Sequence, residues 1–310
     1  MSYKDTTKHD AKGKWFGILT ALGIGSNYLT GKHTQCPICG GRDRFRWDNK
    51  EGDGTWFCNQ DGAGDGFSLL IAYHKIDFKE AKKRVKEVIG SVEQVEIKKE
   101  QTDEQKRDAL RKAWNDSKPS QKGDFVDLYL RGRGIDVPVL YGLRSGLSVD
   151  FTTGREFQTM FGVVKNRDGK LATLHRTFIE NGRKADIECP RKMMSGFLED
   201  GCSIQTGEVM EIGMVGIAEG IETALSASQM FHIPVWSVLN TSLMEKWLPP
   251  EGVSTVVIFG DNDKSYSGQK SAYTLARKLT KLGYAIEVNI PKKQGYDWND
   301  CLLEEMGKVV

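Results

Sequence analysis

Two groups of residues in this 310-residue chain have types and spacings suited to chemistry. The first is a cysteine cluster. Cys36 and Cys39 form a Cys-x2-Cys pair, Cys58 follows after eighteen intervening residues, and Asp61 stands where a second pair would close with cysteine. Knuckles at this spacing are a zinc-ribbon signature, and zinc accepts thiolate sulfur, imidazole nitrogen or carboxylate oxygen in a closed tetrahedron. Asp61 is favoured as fourth ligand for its place in the second knuckle; His33, which completes a His-x2-Cys-x2-Cys run, is the alternative. Either choice gives one structural zinc.

The second group is acidic. Glu219, the pair Asp261 and Asp263, and Asp297 with Asp300 each follow a short apolar run or the loop after one. Asp261 and Asp263 are two residues apart, so on an extended segment both side chains leave on the same side. Clustered carboxylates repel one another unless a hard cation lies between them, and Mg2+ or Mn2+ with oxygen ligands suits such a set. A single acid after a strand is most simply a turn residue or a helix-start charge. The recurrence at successive strand ends is what points to a site.

The surrounding elements must position these groups. From 212 onward the pattern is βαβα. "MVGIA" (214–218), "PVWSVL" (234–239), "STVVIFG" (254–260) and "YAIEVNI" (284–290) read as strands, with helices over 222–231, near 242–247, over 267–283 and from 297 to 307. This alternation predicts a largely parallel sheet with helices on its faces, whose functional groups gather at the carboxyl ends of the strands. Residues 122–211 form a basic subdomain of short strands, with "RDGK" and "ENGRK" as hairpin turns. Residues 91–121 are almost wholly polar and read as a charged linker or solvated helix. Residues 1–90 form the cysteine-bearing domain: a helix over 14–24, the cluster, and a helix over 66–90 broken near Ile76–Asp77. The fold class expected is α/β: a zinc ribbon, an α+β subdomain and a Rossmann-like core at 212–310.

The formal net charge is only +2, so charge location matters more than its sum. "RDRFRW" alternates Arg42, Arg44 and Arg46 with aromatic residues ending in Trp47; arginine holds phosphates and aromatic faces stack on unpaired bases. On a strand, one face of that run packs while the other meets nucleic acid. Arg191 and Lys192, in "PRKMMSG", and Lys264, beside Asp263, are further candidates for nucleic acid or the triphosphate of a nucleotide. No run of eighteen apolar residues spans a membrane, and no secretory signal is visible, so a cytoplasmic protein with reduced thiols is expected. Cys189, Cys202 and Cys301 lack metal spacing and read as buried thiols. "GSNYLTGKH" (25–33) lacks the glycine spacing of a P-loop, so no helicase motor is expected in this chain.

"AEGIETALSA", "IFGDNDKSYSGQKSAYTLARKL" and "DWND" resemble the TOPRIM region of phage and plasmid primases of the DnaG superfamily, in which a zinc-binding domain precedes the TOPRIM domain. The resemblance covers 32–70 and 185–305. It implies a DNA primase making short RNA primers on single-stranded DNA from ribonucleoside triphosphates, in a bacterial cytoplasm and in phage, prophage or plasmid replication, with a separate helicase as possible partner. It also implies roles. Glu219 would be the TOPRIM glutamate, acting as general acid or base or holding metal. Asp261 and Asp263 would be the metal-binding pair, and Asp297 or Asp300 a further metal-associated acid. Glu222 is not required by the wider pattern and fits the first turn of a helix. Relatives normally carry cysteine where this chain has Asp61. The rival readings are a TOPRIM nuclease using the same acids and a non-catalytic RecR-like DNA-binding adaptor.

Overall fold

Alternating burial builds the first sheet. In the strand Phe45–Trp47 both aromatic ends face the core while Arg46 faces outward, as the period of two requires. In the computed structural model, which describes residues 6–93, 102–196 and 198–308, the strands β1 (His33–Thr34), β2 (Phe45–Trp47), β3 (Trp56–Cys58) and β4 (Gly62–Gly64) form an antiparallel sheet in that order. Helices α1 (Trp15–Ala21), α2 (Gly66–His74) and α3 (Phe78–Val88) are the longer helices of the unit Met1–Thr102. The expected break after α2 is real. Lys75 turns left-handed at φ 54°, and the Asp77 carboxylate caps α3 by accepting from the Glu80 N–H. Trp15, Phe45, Trp47, Trp56 and Phe67 fill the core between sheet and helices.

The second unit, Asp103–Val310, is built on one large mixed sheet. It opens with α4 (Asp103–Asp116), β5 (Lys118–Pro119) and α5 (Phe125–Gly132). The strands β6 (Leu143–Val149), β7 (Glu156–Lys165), β8 (Leu171–Glu180), β9 (Arg183–Lys184), β10 (Arg191–Met193) and β11 (Ser203–Ile204) follow. β12 (Met214–Ala218), α6 (Ile221–Phe231), β13 (Val235–Ser237), α7 (Thr241–Lys246), β14 (Thr255–Phe259), α8 (Ser267–Lys281), β15 (Ala285–Asn289) and α9 (Trp298–Glu305) complete it. The main path runs β10-β8-β7-β11-β13-β12-β14-β15; β6 flanks β7, β5 pairs with β6, and β9 pairs with β8.

β13, β12, β14 and β15 are parallel neighbours, as the βαβα pattern predicts, and the rest of the sheet is antiparallel. The two hairpin signals hold: β7 and β8 are joined through 166–170, and β8 and β9 through Asn181–Gly182, both at positive φ as a tight Asn-Gly turn requires. Two expectations change. Of the polar stretch 91–121, residues 94–101 lie outside the described residues, whereas 103–116 form the helix of the two readings, packed against the sheet along one side rather than solvated all round. Leu110 and Ala113 cover Phe161, Val163 and Leu174 on the sheet, and Arg144 stacks on Trp114 at 4.1 Å. The subdomain after 122 is not all strand either: α5, capped by Asp124, buries Val126, Tyr129 and Leu130.

Candidate functional site

In the first unit the sheet hairpins bring four ligand atoms together. Those of Cys36, Cys39, Cys58 and Asp61 all lie within 4.8 Å of one another, and they are the one such group of three or more among the described residues. Asp61 Oδ2 is 3.1 Å from the sulfurs of both Cys36 and Cys58, and Cys39 and Cys58 are 3.9 Å apart. A tetrahedron of zinc–sulfur bonds has edges of about 3.8 Å, so the donor set fits zinc. Burial pushes the Cys36 thiol up to about 12, and hydrogen bonds from Cys39 and Cys36 hold the Asp61 carboxyl below its usual range. Bound metal would ionise the sulfurs, so metal affinity at this cluster depends on pH. His33 lies instead on β1, exposed and opposite Arg46, and is outside the cluster.

The outer face of this sheet carries His33, Arg46 and Phe57 in one cross-strand row, with Phe57 39% exposed. Arg42 and Arg44 are exposed; Arg44 donates to Gln60, and Arg46 forms a two-point ion pair with Asp48. Trp47 is a correction. It is 7% exposed and packs against Phe16, so its ring belongs to the core and is not presented to bases.

In the second unit the acids collect at the carboxyl edge of the parallel strands. Glu219 follows β12, Asp261 and Asp263 follow β14, and Asp297 caps α9 after β15. A small network, invisible in the sequence, joins the last two loops. The Asn262 side chain donates to Pro291 O at 2.7 Å, its N–H donates to Tyr296 O, and its carbonyl accepts from the Gly295 N–H. Gln269 donates to Asn262 Oδ1 and to Asp263 O, holding both against α8. Two glycines permit the approach. A Cβ on Gly268 would meet Asp261 O at 2.6 Å, and one on Gly260 would meet the Ile290 and Ala272 side chains at 2.6 and 2.9 Å.

Most of these carboxylates have one oxygen tied to the scaffold. Asp263 Oδ2 accepts from Ser267 Oγ at 2.7 Å and from the Gly268 N–H at 2.9 Å. Asp297 Oδ1 accepts from the N–H groups of Asn299 and Asp300, and Asp300 Oδ2 accepts from the Asp297 N–H, closing a capping box. Asp261 differs: its Oδ1 is buried and has no hydrogen-bond partner among the described residues. Burial, then the charges of Asp297, Glu219, Asp263 and Asp300, push its carboxyl up to about 8. Burial and Asp263 also raise Glu219, against the opposing pull of Arg191. Burial raises Asp297 in spite of its backbone hydrogen bonds. A buried, unbonded carboxylate oxygen among mutually repelling acids fits a divalent cation. The acids form an open edge rather than a closed cage.

Beside this edge, the first turn of α6 carries a residue whose partners sequence reasoning missed. Glu222 is buried, accepts from Tyr129 Oη at 2.5 Å and pairs with Lys184 Nζ at 3.0 Å. Burial would raise its carboxyl, but Lys184 and Tyr129 outweigh that and hold it down at about 2. Next to it lies His175, whose imidazole burial drives down to about 4 and whose Nδ1 has no partner among the described residues. Alternation on β10 separates the two expected basic contacts. Arg191 is exposed and lines a cavity of about 10 Å³ with His175, Gly220 and Glu222. Lys192 turns the other way and is tied to buried Asp150 and to Thr152, so its charge is already neutralised and it is not a free nucleic-acid contact. Lys264 is exposed beside Gly295. Of the scattered cysteines, Cys202 is buried, Cys301 half-buried, and Cys189 exposed, contrary to the expectation for it.

Residues 31–67 match the zinc-binding domain of primase-helicase, and 214–307 match a Toprim domain. Residues 104–204 match a domain of unknown function (DUF7146). Among solved structures, the chain is similar to the zinc-binding and RNA polymerase domains of Aquifex aeolicus primase, with 15% identity over 98% of this chain and 83% of that one and a TM-score of 0.45. It is also similar to a DNA primase domain from Pseudomonas aeruginosa, at 13% identity, 64% and 74% coverage and TM-score 0.44. A third similarity is to the primase fragment of the bacteriophage T7 primase-helicase, at 13% identity, 89% and 96% coverage and TM-score 0.37. Among the described residues no helix is long and apolar enough to cross a membrane. The chain thus carries a zinc-binding domain of the primase-helicase kind ahead of a Toprim domain.

Proposed function

We propose that the carboxyl edge of the parallel sheet joins ribonucleotides on a single-stranded DNA template, and that the zinc unit engages that template. The observation that carries the reading is the Asp261 carboxylate: buried, with one oxygen unbonded, and raised to about 8 by neighbouring acids. A cation against such a group favours its ionised form at neutral pH. Asp261, Asp263, Glu219 and Asp297 would hold Mg2+ or Mn2+, with Asp300 supporting Asp297 through the capping box. Divalent cations bound there would stabilise the attacking and leaving oxygens of in-line nucleotidyl transfer, in which a primer 3′-hydroxyl displaces pyrophosphate.

The chain's own groups prepare that step. Asn262 and Gln269 fix the two acidic loops relative to each other. Glu219, with its carboxyl raised, is suited to take the proton from the attacking hydroxyl. Arg191 faces the same edge with a charge available to the triphosphate, and Lys264 flanks it. Arg42, Arg44, Arg46 and Phe57 offer phosphate and stacking contacts in the zinc unit. With a zinc domain of the primase-helicase kind, the reading extends to priming beside a helicase in phage, prophage or plasmid replication.

The test is template-directed synthesis on single-stranded DNA with labelled ribonucleoside triphosphates and Mg2+ or Mn2+. Short RNA products that vanish in Asp261→Ala/Asp263→Ala support the proposal. Metal-dependent loss of the template without products would make the chain a nuclease. DNA binding with neither activity would make it an adaptor.

A further inference from the structure

Beside the acidic edge, two cations stand within reach of one buried carboxylate. β9 and β10 follow one another along the same side of β8, where Lys184 is opposite Ile179 and Arg191 opposite Thr177. Ile179 and Thr177 are two residues apart, so Lys184 and Arg191 project from the same face of the sheet. His175, two residues further along β8, shares that face and lies next to Glu222 in the first turn of α6. Lys184 Nζ is 3.0 Å from Glu222 Oε1, and Tyr129 Oη donates to the same oxygen. Oε2 is turned toward Gly220, on the side of the small cavity that Arg191 and His175 also line. Arg191 is thus the second cation beside Glu222, yet it is exposed and makes no hydrogen bond or ion pair among the described residues. His175 does not compete for the carboxylate, because burial keeps its imidazole neutral.

Electrostatics account for this division. A carboxylate with an ammonium against it is largely neutralised, so a second cation gains little by approaching. Arg191 keeps its charge for the edge, where it opposes the rise of the Glu219 carboxyl. Without Lys184, the buried Glu222 charge would lack its counterion, a costly state that the neighbouring guanidinium could relieve by forking onto the carboxylate. We propose that Lys184 is a positioning residue for Arg191: by occupying Glu222 it keeps the Arg191 guanidinium unpaired and available at the acidic edge for the triphosphate of the incoming nucleotide. The inference rests on the reading of Arg191 given above, and it gives the Tyr129–Glu222–Lys184 network a part in nucleotide affinity as well as in stability.

The experiment measures equilibrium binding of N-methylanthraniloyl-ATP to the full zinc-loaded chain in Mg2+ without template, so that no synthesis is needed. Arg191→Gln should weaken binding roughly ten- to a hundredfold, the loss of a charge-assisted contact. Lys184→Met should weaken it nearly as much. Lys184→Met/Glu222→Gln, which also removes the carboxylate that would capture Arg191, should return to wild-type affinity, and Lys184→Arg should keep it. In primer synthesis the same losses should appear in KM with kcat unchanged, a split that a general loosening of the fold would not give. Circular dichroism equal to wild type shows that each variant is folded. Because an unpaired Glu222 destabilises Lys184→Met, Glu222→Gln alone supplies a second test: it should bind at least as tightly as wild type. Unchanged affinity in Lys184→Met or Arg191→Gln overturns the inference. So does a double variant as weak as Lys184→Met, a Glu222→Gln variant weaker than wild type, or a wild type that does not bind the nucleotide. The expected binding pattern without primer synthesis would defeat the catalytic proposal and leave this one standing.

Discussion

Replacing Asp261 with asparagine should make the metal-free protein more stable at alkaline pH while abolishing synthesis. A carboxyl raised from 3.8 to about 8 binds its proton more tightly in the folded than in the unfolded chain. Between those values the unfolded state carries fewer protons, so stability falls as pH rises, by about 1.4 kcal/mol per unit. His175 acts in the opposite direction. Burial lowers it to about 4, so its contribution grows with pH and is complete above ~6.5. The window free of His175 is therefore about pH 6.5 to 8, where Asp261, in company with Glu219 and Asp297, which burial also raises, should remove roughly 1–2 kcal/mol from the wild type. Asp261→Asn should lack its share of this slope and be the more stable protein at about pH 8. Saturating Mg2+ should abolish the slope in the wild type, because the ionised carboxylate is the form that binds. The assay is urea unfolding in Mg2+-free buffer without strong chelators, so that zinc is kept. A wild type whose stability is flat or rises across the window, or an asparagine variant that is less stable at its alkaline end, would refute the electrostatic reasoning.

Three further outcomes are expected. Asp61→Ala should lower zinc affinity by more than the roughly 10–100-fold typical of a lost outer-shell partner, while His33→Ala leaves it unchanged, as measured by competition with a chromophoric chelator. Tyr129→Phe should cost about 1.5–3 kcal/mol by removing a hydrogen bond to the buried Glu222 carboxylate, and Lys184→Met about 3 kcal/mol or more by leaving that charge without its ion-pair partner. In both variants, loss of the Glu222 partner moves acid unfolding, because a carboxyl held at about 2 contributes stability that disappears as pH falls below the unfolded value. Phe57→Ala should weaken single-strand binding by about 1–3 kcal/mol with the fold intact, whereas Trp47→Ala should cost about 3–5 kcal/mol of stability in chemical denaturation.

What could be read from the sequence was local. The βαβα rhythm, the acids at strand ends and the Cys-x2-Cys spacing all depend on short-range pattern, and the structure places these residues at the carboxyl edge and in one ligand cluster. What could not be read depends on partners far along the chain. Glu222 gave no sign that Tyr129, ninety-three residues earlier, and Lys184 would enclose it. Lys192 looked like a free cation because Asp150, forty-two residues away, carries no signal of its own burial. Arg46 and Trp47 sit side by side in one basic-aromatic run, and only the pleat sends one outward and the other into the core. α5 is a different kind of miss. Val126, Tyr129 and Leu130 recur at helical spacing behind a capping aspartate, but the hairpin signals that follow drew the whole region into a strand reading.

The tethering of single carboxylate oxygens limits the kind of ion the edge can serve. Asp263, Asp297 and Asp300 each spend one oxygen on backbone or hydroxyl donors, which leaves each able to offer a metal a single atom. Calcium builds its larger shell with bidentate carboxylates, whereas magnesium keeps an octahedron made mostly of water and substrate oxygens, with one or two carboxylate atoms. On the proposed reading, the hydrogen bonds that cap α9 and steady the start of α8 also act as an ion filter. An ion that keeps its own water arrives with coordination places that a triphosphate can take.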